Sequence, residues 1–133
     1  MLFAHSIRTT LWLLIATGLF GALRLSYSTF SRSGEPCPDF SGVYICYVVL
    51  IGYGIMVLAQ FGTWRWKRPS FYSGWAITFI IAAVGTVLEL INGETCPKSA
   101  DNLPMCYVSL GLCICIFALY VYKSIYFDKK ADR

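Results

Sequence analysis

Gly34-Glu35-Pro36-Cys37-Pro38 followed by Cys46-Tyr47-Val48-Val49-Leu50 returns later in the chain as Gly93-Glu94-Thr95-Cys96-Pro97 followed by Cys106-Tyr107-Val108-Ser109-Leu110. Eight positions are identical, and the second copy carries one extra residue between its two blocks. Each copy stands between two long apolar stretches. That placement makes the phrase the turn of a helical hairpin and predicts two related hairpins in tandem, about 1–64 and 65–133, within a single domain.

Composition says where such hairpins live. Of 133 residues, 57% are hydrophobic and only 14% charged, and the mean hydropathy is +0.61. A chain this short and this apolar has too little polar surface to cover a water-soluble globule. Four apolar segments, Leu11 to Phe30, Val43 to Gly62, Ser73 to Asn92 and Met105 to Tyr126, each have roughly the 20 residues that carry a helix across a hydrocarbon core of about 30 Å. The expected fold is all-α: an integral membrane four-helix bundle with a pseudo-twofold axis along the membrane normal. A basic residue ahead of an apolar run also marks a signal peptide, but no clear small-residue cleavage site precedes Arg24, and an uncleaved first helix is expected.

Charge orients this arrangement. Arg8, the Arg65, Lys67 and Arg68 cluster, and Lys123, Lys129, Lys130 and Arg133 fall at one end of a four-span layout, against Arg32 and Lys98 at the other. The positive-inside rule puts both termini in the cytoplasm and both Cys-Pro loops outside, in a plasma or inner membrane. The net charge of +4 follows from that asymmetry. It does not call for a nucleic-acid partner, because no basic amphipathic surface accompanies it. The expected partners are the bilayer and another membrane protein, or further copies of the same chain.

On the outward side disulfides persist, and Cys37, Cys46, Cys96 and Cys106 all lie there. The simplest pairing joins Cys37 to Cys46 and Cys96 to Cys106, each bridge stapling the entry of the following helix. Four cysteines allow three pairings, and the sequence leaves a cross-link between the loops open. A redox use of the same residues is the alternative. In size, topology and paired outward loops the chain resembles the bacterial disulfide-forming oxidases and the vitamin K epoxide reductases, which implies thiol–disulfide exchange with a quinone as cofactor. Both families carry a Cys-x-x-Cys pair that this sequence lacks. Its closest pair, Cys113 and Cys115, points to opposite sides of a helix and reads as packing.

Arg24 and Glu89 are the ionisable residues inside the apolar spans, where a charge is costly unless it pairs, snorkels or meets water. Both fall near the outward ends of the odd-numbered spans, so an intramembrane ion pair between them is one expectation. Separate reach to the interface is the other. A transporter or channel with both residues in its path is a further alternative. Small residues, Gly18 and Ala22, Gly52 and Gly54, Ala82 and Gly85, are candidates for close helix contacts. His5 is the single histidine, which leaves no histidine metal set, haem pair or Ser-His-Asp arrangement. No phosphate-binding loop is present either. The leading expectation is a non-enzymatic accessory or assembly subunit that needs no metal or cofactor.

Overall fold

A computed structural model describes residues 1–31, 37, 39–94, 96, 98 and 101–131. The protein is all-α, with four long helices: α1 (Leu2–Phe30), α2 (Ile45–Phe61), α3 (Trp64–Asn92) and α4 (Met105–Lys123). A π-helical stretch, Ser124–Asp128, continues α4, and a last helical turn, Lys129–Ala131, follows it. α1 packs on α2 and α4, and α3 packs on α2 and α4, so the four helices close a ring in which α2 against α3 is the most extensive contact. The start of α1 lies beside the stretch that follows α4, with Met1, Leu2, His5 and Arg8 meeting Lys123 and Phe127 around one groove. The two cysteine loops cap the opposite end.

Among the described residues, three helical stretches are long and apolar enough to cross a membrane: Leu2–Phe30, Arg65–Asn92 and Met105–Phe127. Their bounds differ instructively from the apolar segments. α1 and α3 each run for 29 residues and begin nine residues ahead of Leu11 and Ser73, because Arg8, Arg65 and Lys67 are good helix formers although they are polar. Hydropathy marks the apolar part of a helix, not its start. Pro69 sits inside α3 as its sixth residue, where the ladder loses the bond that an N–H at this position would donate to the Arg65 carbonyl. α2 is shorter than expected at 17 residues, or about 25 Å of helix.

Packing is tightest toward the end that holds the termini. Leu11, Ile15, Met56, Phe71 and Ile116 are fully buried there, with Tyr53 and Tyr120 beside them. Phe71 stacks on Tyr120 at 3.8 Å between ring centres. Trp75 stacks on Phe117 at 4.5 Å and donates its indole N–H to the Cys113 carbonyl at 2.9 Å. Trp75 is thus a partly buried tie between α3 and α4. Cys113 is fully buried while Cys115 is exposed, as opposite faces of one helix require.

Where α2 crosses α3, glycine decides the distance. A Cβ on Gly74 would stand 2.7 Å from the Gly52 carbonyl oxygen, and one on Gly52 would overlap the Thr78 hydroxyl. Two backbones touch there, the close approach that small residues permit in apolar surroundings. Gly18 likewise makes room for the Tyr53 ring, whereas Gly54 faces open space. The two buried threonine hydroxyls of α3 are satisfied locally: Thr78 donates to the Gly74 carbonyl at 3.0 Å and Thr86 to the Ala82 carbonyl at 2.7 Å. Outside this core many large apolar side chains face outward, among them Leu13, Phe20, Leu58 and Leu90, each more than half exposed.

Candidate functional site

The site is the end of the molecule that carries the two cysteine loops. In the first loop, β1 (Asp39–Phe40) and β2 (Val43–Tyr44) form a two-stranded hairpin with Asp39 opposite Tyr44 and Phe40 opposite Val43. Ser41 and Gly42 join them, both with positive φ, 58° and 85°. That is the type I′ turn that matches the twist of a tight hairpin. The second loop repeats the plan with fewer pairs. Lys98 bridges to Pro104, and Asn102 takes the left-handed conformation at φ 58°.

The correspondence is positional. In each loop the bridge begins two residues after the first cysteine and ends two before the second, and the left-handed residue, Gly42 or Asn102, lies four before the second cysteine. The extra residue of the second copy falls between the bridge partners. Each loop folds back on itself and so returns its two cysteines to one place. Disulfides join Cys37 to Cys46, with Cα atoms 6.2 Å apart, and Cys96 to Cys106, 6.1 Å apart. They close loops of nine and ten residues' separation, which the chain-entropy model values at roughly 2.5–3 kcal/mol each. Cys37, Cys46 and Cys96 are buried. The Gly34-to-Pro36 part of the repeated phrase lies outside the described residues.

Glu89 supports the second loop from beneath. α3 ends at Gly93, whose left-handed φ of 78° lets its N–H bond the Glu89 carbonyl at 2.8 Å, the usual stop for a helix. The reversal brings Cys96 back over the last turn, where its backbone N–H donates to Glu89 Oε2 at 2.9 Å. The carboxylate is only 6% exposed. A hydrogen bond of this kind contributes about 0.5–1.5 kcal/mol. Arg24, by contrast, lies exposed on α1, six residues before the end of its helix, whereas Glu89 lies three before the end of α3. The Cys96 amide that bonds Glu89 belongs to the same hairpin.

One turn below Glu89, Gly85 receives the second disulfide. A Cβ at that position would lie 2.9 Å from Cys106 Sγ and 3.4 Å from Cys96 Sγ. Beneath the caps the four helices leave a cavity of about 360 Å³. Its walls include Ala22 of α1, Cys46 and Val49 of α2, Ile81 and Gly85 of α3, and Cys106 and Ser109 of α4. Nothing in the sequence reveals this cavity, because it exists only where four helices and two loops meet.

Comparisons with protein-family models, with curated proteins and with solved structures find no match for this chain.

Proposed function

We propose that the chain is a small multi-pass membrane protein of two tandem hairpins, its disulfide-stapled caps extracytoplasmic and both termini cytoplasmic, acting as a non-enzymatic accessory or assembly subunit. The observation that carries this reading is the burial of three of the four paired cysteines, Cys37 at 3%, Cys46 at 9% and Cys96 at 6% exposure, each bonded within its own cap. Exchange needs an attacking thiolate to reach a disulfide sulfur. Buried bridges over a helix entry serve as staples, and caps braced in this way offer a rigid surface to a membrane partner. The end that holds the termini is rich in Lys and Arg, which supports its cytoplasmic assignment.

The test is trapping in native membranes after Cys46→Ala or Cys106→Ala. The staple reading expects each variant to keep an unpaired Cys37 or Cys96 that alkylates and captures no other protein. Accumulation of a mixed disulfide with a second protein overturns it.

One observation favours a second reading. Cys46, Cys96 and Cys106 all wall the apolar cavity, which would bring both bridges beside a bound quinone. A dithiol substrate would then be oxidised to its disulfide, and its two electrons and two protons would pass through a cap disulfide to reduce the quinone to quinol. Quinone reduction dependent on added dithiol, and lost on Cys106→Ala, would replace the first reading by this one.

A further inference from the structure

Everything about the cavity under the caps points to a hydrocarbon occupant. Water is excluded as its filling, since an ordered water needs two to four polar partners and Ser109 supplies the single side-chain hydroxyl of the wall. The volume, about 360 Å³, falls within the range of ligand pockets, about 300–1,000 Å³. It is not a sign of loose packing throughout, because Leu11, Ile15, Met56 and Ile116 are fully buried at the other end of the same bundle. The space is local, held open where the Cys96–Cys106 bridge rests on Gly85 and roofs it.

The cavity also has a way in. Ile80, Val84 and Leu88 recur one turn apart on α3, and all three line the cavity while remaining exposed, at 59%, 53% and 38%. Its mouth is therefore continuous with the apolar outer surface of the helices. In a bilayer that surface is covered by lipid tails. A group entering sideways at this level meets apolar walls throughout, which suits a flexible chain and gives a polar ring little to bond. The head stays outside, at the level of the caps, where the exposed Lys98 offers a cation to phosphate.

We propose that this cavity is a lipid site that takes the acyl chain of a phospholipid from the leaflet at the disulfide end. The proposal rests on the membrane reading above. The consequence is a protein whose two hairpins are joined at that end through a lipid tail, with the disulfides as its lid.

The experiment uses the full chain in nanodiscs doped with a phosphatidylcholine carrying a diazirine near the end of one acyl chain, followed by mass mapping of the crosslinks. Labelling at Val49, Ile81 or Ser109 that saturates with probe fraction is expected, while labelling at the outward-facing Leu13, Leu58 and Leu90 rises in proportion to it. Filling the space with Val49→Phe, and separately with Ser109→Phe, should lower cavity labelling about tenfold and leave the outward positions unchanged. Cavity residues unlabelled in the wild type beside labelled outward ones would overturn the lipid site and leave the membrane reading standing. Absence of label at every position would overturn both. An isoprenoid quinone retained in equimolar amount by the purified protein would overturn the acyl-chain assignment.

Discussion

In the first cap the chain between the cysteines is held by a type I′ turn at Ser41 and Gly42, whereas the second is held from below, by Glu89 and by the seat that Gly85 leaves for its disulfide. The two loops share a phrase and a disulfide span, yet what keeps each in place differs. The first is supported by its own backbone and the second by the helix under it. A repeated sequence therefore repeats the local fold of the loop without repeating its attachment to the bundle, because attachment depends on residues outside the phrase.

The largest expected effects come from the bridges. Replacing Cys37 and Cys46 together, or Cys96 and Cys106 together, by Ala should each lower stability by roughly 2.5–3 kcal/mol, since the closed loops are nearly equal. Unfolding titrations in mixed micelles measure this. The comparison is sharpened by adding Glu89→Ala to each pair. With Cys96 and Cys106 replaced, the two losses should be non-additive, because both groups hold the same segment; with Cys37 and Cys46 replaced they should add. Additivity in both backgrounds would remove the distinction between the caps.

Next in size is the buried carboxylate. Glu89→Ala should cost about 2 kcal/mol by leaving the Cys96 N–H without its acceptor, while Arg24→Ala on the exposed face of α1 should change stability by less than about 0.5 kcal/mol. Equal and coupled losses would instead indicate a pair between them. Gly85→Ala follows, at about 1–3 kcal/mol from overpacking against the two sulfurs. Gly21→Ala, with open space around it, should gain up to about 1 kcal/mol of helix propensity. A gain of similar size belongs to the first turn, where Ser41→Gly should raise stability by about 1 kcal/mol by relieving a left-handed residue that carries a side chain.

Much of this architecture is written in the chain. Runs of apolar residues locate the four helices, and the repeated phrase locates the turns between members of each pair. The ends of α1 and α3 were hidden because polar helix formers extend a helix past its apolar part. Spacing alone is compatible with three disulfide connectivities and does not choose among them. In the structure the bridges Asp39 to Tyr44 and Lys98 to Pro104 bring together the cysteines of one loop. The bond from the Cys96 amide to Glu89 is out of the sequence's reach for a similar reason. A carboxylate in an apolar run suggests a charge on another helix, whereas the reversal at Gly93 delivers a backbone amide seven residues on. The cavity is a property of packing and had no linear signal.

The central claim is that each cap is closed by its own structural disulfide. Its most direct test is peptide mapping of the protein taken from native membranes with thiols blocked before lysis. The account predicts Cys37 linked to Cys46 and Cys96 linked to Cys106 in all molecules, with Cys113 and Cys115 recovered as thiols. A link between the loops, or a fraction of the four loop cysteines blocked as free thiols in membranes at rest, would contradict it.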